Sequence, residues 1–114
     1  MNAQDLRIGN YVYRTNKQTK EKLLIEVTPS CIMDIHSNGE NSSFIYEPIP
    51  LTEEWFLKCK SNSIFNNGFE YKKTSTGRFE IYAGTILITV IEFVHELQNL
   101  NFALLGEDVI IENY

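Results

Sequence analysis

Three observations predict an α+β fold: a small N-terminal antiparallel, SH3-like barrel sheet, then a short helix, a three-strand meander and a C-terminal helix. Short segments with period-two alternation fill residues 1–47 and recur over 69–91, as half-buried strands require. Pro48-Ile49-Pro50 separates the two groups, because proline lacks the N–H that a central strand must donate. The stretch 94–105 spaces Val94, Leu97, Leu100 and Leu104 as one face of a helix. With 114 residues a single domain is expected, residues 1–50 forming the barrel-like sheet and 51–114 the helix, meander and helix.

Leu6-Arg7-Ile8-Gly9-Asn10 reads as a turn feeding a strand over Tyr11-Val12-Tyr13-Arg14. Thr15 to Lys20 is polar enough for a loop. Leu23, Ile25 and Val27 then alternate with Leu24, Glu26 and Thr28, a half-buried strand that Pro29-Ser30 ends. Cys31, Met33 and Ile35 alternate with Ile32, Asp34 and His36 and predict a third strand. A Ser, Asn and Gly loop over 37–42 and a returning strand over Phe44 to Glu47 complete the half-barrel.

Thr52 is placed to cap the first helix, with Glu53 and Glu54 at the positive end of its dipole. Leu51 and Phe56 stand at the two positions of a hydrophobic staple, and Glu54 with Lys58 forms an i,i+4 pair. Residues 61–68 read as a loop ending in Asn66-Asn67-Gly68. Strands are predicted over Phe69 to Lys73, Arg78 to Tyr82 and Thr85 to Ile91, joined by hairpin-length connections. The last of these is apolar on both faces, which predicts a place in the middle of the structure. Gly106 supplies the C-cap of the helix over 94–105, and Asp108 to Glu112 predicts a short final strand with Val109 and Ile111 on one face.

Charge narrows the function. The net charge is −5, and residues 79–114 hold six acids with no Lys or Arg, whereas residues 1–78 hold all ten bases against nine acids. Binding of duplex nucleic acid depends on cations that displace counterions from phosphates, so an anionic C-terminal third disfavours it. That same third, through Glu96, Glu107 and Asp108, is a candidate interface steered by charge. The N-terminus has no apolar segment of the secretory kind. The longest apolar stretch, Thr85 to Val94, contains Glu92 and falls short of the roughly 20 residues that cross a bilayer. No membrane association and a cytoplasmic location are therefore expected, and the two cysteines, Cys31 and Cys59, suit a reduced compartment.

The sequence carries no Walker loop, GxGxxG, HExxH or EF-hand pattern, so no cofactor or metal is expected. Cys31, His36, Cys59 and His95 lack the short paired spacing of zinc ligands, and small buried hydrophobes are the usual fate of free cysteines. Asp34 and His36 share a face of the predicted third strand, the minimal pair for general-base chemistry, although two such residues on an exposed face are usually only solvated. His95 stands near a helix N-terminus, where the dipole favours neutral imidazole. Gln98, Asn99 and Phe102 follow on its side of the helix, opposite the leucines, and make a polar stripe that suits a base, a carboxylate or a partner backbone. The bland alternative is a histidine that caps or bridges to the sheet. Tyr11, Tyr13 and Arg14, with Lys17, Lys20 and Lys22 beside them, form a second candidate face, aromatics for bases and cations for phosphates. A lysine-guarded sheet edge has the same composition.

Leu6-Arg7-Ile8-Gly9-Asn10, Ile49-Pro50-Leu51-Thr52-Glu53-Glu54-Trp55 and Val94-His95-Glu96-Leu97-Gln98-Asn99-Leu100 with Phe102-Ala103-Leu104 occur in that order along most of the chain. Together they resemble a family of small uncharacterised proteins encoded by phages, prophages and mobile elements of Bacteroides-type bacteria. The segment 61–67 is longer than that pattern, and Asn101 stands where an aromatic is common, two departures that suit surface positions. The resemblance implies a phage or mobile-element setting in a bacterial host, where such proteins commonly modulate a host or phage protein, such as a defence component. With no catalytic motif in the sequence, the expected function is a non-enzymatic binding protein of that kind. The alternatives are a nucleotide or single-strand binder, with sites between subunits of a homo-oligomer, and a small enzyme without a recognisable motif.

Overall fold

A computed structural model of the chain describes residues 3–59, 63–108 and 111. It is of mixed α+β class, with two three-stranded antiparallel sheets and three α-helices among the described residues. The chain divides into two compact units, Met1–Ile49 and Pro50–Tyr114.

The first unit opens on the turn at Gly9 and Asn10. Gly9 adopts φ 95°, a conformation open to glycine and costly for other residues, and its N–H donates to the Val27 carbonyl at 2.9 Å. The buried Asn10 accepts from the Arg7 N–H at 2.6 Å through Oδ1. Strands β1 (Tyr11–Asn16), β2 (Lys22–Glu26) and β3 (Phe44–Glu47) pair in the order β2-β1-β3, with Tyr13 opposite Leu24 on one side and Glu47 on the other.

Between β2 and β3 the predicted strand is instead a helix, α1 (Pro29–Asn38). Thr28 caps it in extended conformation and accepts from the Cys31 N–H, and Pro29 occupies the first helical position, where its missing N–H costs nothing. The alternation of Cys31, Met33 and Ile35 was therefore a coincidence of spacing. Cys31, Ile32 and Ile35 turn to the core made by Leu6, Val12 and Val27, while Met33 is exposed. Residues predicted as loop form the end of α1 and a 3₁₀ turn over Gly39–Asn41. With a helix in place of one strand, the sheet is three-stranded and does not close into a barrel.

The second unit begins where Leu51 donates to the Glu92 carbonyl at 2.9 Å. Helix α2 (Glu53–Leu57) starts after Thr52 as predicted, with Leu51 and Phe56 both buried and Lys58 3.2 Å from Glu54. The Thr52 side chain makes no capping hydrogen bond. Strands β4 (Phe69–Lys73), β5 (Phe79–Ala83) and β6 (Ile86–Ile91) form the meander in the order β4-β5-β6. Phe56 stacks on Tyr71 at 4.1 Å and meets Phe79 edge-on at 4.7 Å, which ties α2 to the sheet.

Three expectations are overturned in this unit. The central strand is β5, whose Phe79 and Ile81 are fully buried, and β6 lies at the sheet edge with most of its apolar side chains exposed. An uncharged apolar run satisfies either a buried strand or an unpartnered edge, and periodicity cannot separate them. Helix α3 (Val94–Leu105) has the predicted limits, and Gly106 ends it at φ 72°. Its buried face, however, runs through Val94, Leu97, Gln98 and Asn101, while Leu104 is exposed. Asn101 is fully buried rather than at the surface, because its Oδ1 accepts from the Ile64 N–H at 2.7 Å and its Nδ2 donates to the Glu107 carbonyl at 3.1 Å. Of the predicted final strand, residues 109, 110 and 112 lie outside the described residues, and the buried Ile111 pairs with Cys59.

Candidate functional sites

Strand alternation separates the residues of the first predicted face. Tyr11 and Tyr13 lie on the side of β1 opposite the buried Val12, with the Lys22 ammonium 4.5 Å from the Tyr13 ring centre. Burial, and then the Glu26 carboxylate, raises the Tyr11 hydroxyl above its ordinary pKa. Arg14 belongs to the other side, where its guanidinium lies over the Phe44 ring at 4.4 Å. Lys17 is occupied locally, donating to the Glu40 carbonyl at 2.6 Å. The two tyrosines and Arg14 therefore do not share a surface.

Arg14 opens instead into a cleft of about 430 Å³ whose other walls include Cys31, Asp34, Ser42, Phe44 and Tyr46. Asp34 organises it. Asn38 Nδ2 donates to its Oδ1 at 2.7 Å, and Ser42 Oγ and Tyr46 OH donate to its Oδ2 at 2.5 and 2.9 Å. The Asn38 bond, followed by the Ser42 bond, holds the carboxyl below the ordinary aspartate range despite partial desolvation. Burial, and then the bond to Asp34, raises the Tyr46 hydroxyl well above its ordinary value. A carboxylate that is stabilised in this way is a weak proton acceptor. His36, two residues along α1, is exposed and does not face Asp34, because residues two apart on a helix diverge. The general-base pair suggested by strand alternation does not form.

The polar stripe of α3 is divided between interior and surface. His95 is 6% exposed, with its ring parallel to that of Phe93 at 5.9 Å, and Gln98 is buried to the same degree. Asn99 is half-buried and Phe102 exposed. Glu96 serves the backbone: its Oε1 accepts from the N–H groups of Glu92 and Phe93, both at 3.0 Å, the reciprocal half of a capping box. Glu107 and Asp108 are exposed. Among the described residues no three His, Cys, Asp or Glu side chains gather as a metal site. Burial pushes the Cys59 thiol up to about 11, against the opposing effect of a Ser63 hydrogen bond, so it is protonated and unreactive near neutral pH.

The feature missed by sequence reasoning is the surface of β6. Val90 pairs opposite Glu80 and Leu87 opposite Tyr82, on the face turned away from the buried Phe79 and Ile81, and Ile88 is the extra residue of a bulge. Leu87, Ile88 and Val90 are 48%, 40% and 42% exposed, and Ile86 at the strand end is still more open. The absence of any charge in Ile-Leu-Ile-Thr-Val-Ile was the available signal, since solvated edges ordinarily carry Lys or Pro. No helix among the described residues is long and apolar enough to cross a membrane. Compared with known proteins, the chain matches no family model, no curated protein and no solved structure.

Proposed function

We propose that this is a small non-enzymatic binding protein of a phage or mobile element, and that it modulates a host or phage protein, met in the bacterial cytoplasm, through the outer face of β6. One observation carries the reading: an edge strand of six residues with no charge, with Leu87 and Val90 exposed on its outer face and Ile86 and Ile88 exposed beside them. Exposed apolar surface of this kind has a hydration cost that a protein partner relieves by covering it, and the strand edge offers backbone groups for added pairing. An aliphatic surface suits a protein side chain better than a phosphate backbone. The mobile-element setting comes from the resemblance of the three sequence blocks. The non-enzymatic part of the reading rests on the sequence, which carries no catalytic motif with a recognised mechanism.

The test is capture from nuclease-treated bacterial lysate by tagged wild-type protein and by the double variant Ile88→Asp, Val90→Lys, with both melting curves recorded. A stoichiometric protein that survives high-salt washing on the wild type and is lost on a folded variant supports the reading. Equal capture by both removes β6 as the contact, and an empty wild-type bait removes the protein-modulator function.

A further inference from the structure

We propose that the cleft of the first unit binds a small molecule carrying a single carboxylate, with Arg14 as the residue that receives it. This site is separate from the β6 face. Arg14 projects from the same side of β1 as the buried Val12 and is half-buried, with its guanidinium over the Phe44 ring. A half-buried arginine commonly pairs with a carboxylate, whose two oxygens match its planar fork. Asp34 is the acid that lines this cleft, and its oxygens accept from Asn38, Ser42 and Tyr46. Among the described residues the Arg14 guanidinium lies over the Phe44 ring and acts electrostatically on the Tyr46 hydroxyl, with no side-chain hydrogen bond or ion pair to an acid.

The stack on Phe44 holds the planar fork in place, so less side-chain freedom is lost when its N–H groups engage an acceptor. The cleft, about 430 Å³, is open to solvent, and Ser30, Asn41 and Ser43 add neutral polar groups to its walls. The charge of the ligand follows from Asp34. A fixed carboxylate in the same cleft repels any anion, and a dianion about twice as strongly as a monoanion, which favours a monocarboxylate over dianionic phosphate at one guanidinium.

The test is a ¹⁵N-NMR titration of the full chain with acetate, benzoate and inorganic phosphate. It follows the Arg14 Nε–Hε signal and the side-chain amides of Asn38 and Asn41. Saturable shifts at these three residues with a carboxylate, weaker with phosphate, are expected. Arg14→Gln, checked by its melting curve, should weaken carboxylate binding about ten-fold or more as read from the amide signals. Arg14→Lys keeps the charge without the fork and should fall between the two. Shifts that stay linear to about 20 mM, well above a millimolar dissociation constant, overturn the site. Tighter binding of phosphate than of either carboxylate overturns the ligand class, and unchanged binding in a folded Arg14→Gln variant overturns the role of Arg14.

Discussion

At the scale of single residues, the most informative group is Asp34, which the sequence offered as half of a catalytic pair and the fold uses as an acceptor for three side chains. Its carboxyl is held below the ordinary range, chiefly by Asn38. A group whose pKa falls on folding contributes stability that is present above its unfolded pKa and is lost as pH drops through the folded value. Urea titrations from neutral to strongly acid pH should therefore show wild-type stability falling below the ordinary aspartate range. Asp34→Asn should be less stable at neutral pH and flatter on the acid side. Coincident slopes for the two proteins would mean that Asp34 holds no folded-state advantage. Asn101 teaches a related lesson. Its identity was legible and its burial was not, because the donor it satisfies, the Ile64 N–H, lies 37 positions away in the chain.

At the scale of elements, β5 and β6 have similar apolar content and opposite environments. Ile81→Ala removes buried methyl groups from the central strand and should cost about 2–5 kcal/mol in chemical denaturation. Val90→Lys, at the exposed edge, should change stability by no more than about 0.5 kcal/mol. A severe loss at Val90 would place β6 in the interior after all. The same contrast explains which elements were readable. α2, α3, β3 and β4 declared themselves through caps, helical spacing and turn residues that act within a few positions. α1 was misread because Thr28-Pro29 is at once a strand end and a helix start, and only the core contacts of Cys31, Ile32 and Ile35 choose between them.

For the whole molecule, charge is divided as unevenly as structure. Residues 50–114 hold nine acids against five bases, and residues 1–49 six against five. The surface field therefore favours a basic partner for the C-terminal unit and sets how fast it arrives more than how tightly it is held. Glu107→Lys with Asp108→Lys, which leaves the Glu96 cap intact, should slow association with the captured protein several-fold at low salt. The difference should fade at high salt, as measured by surface-binding kinetics. Equal rates at low salt would show that the acidic segment does not steer.

The sequence alone determined the α+β class, the break at Pro48-Ile49-Pro50, the limits of the C-terminal helix and the anionic character of its last third. These properties depend on composition and on neighbours within a turn or a strand. Tertiary structure alone decided that β6 is an edge, that α3 turns Gln98 and Asn101 inward, and that Arg14 lies over Phe44 on the side of β1 away from the two tyrosines. Each of those depends on which distant backbone donor, ring or strand lies opposite, and local periodicity holds no information about that.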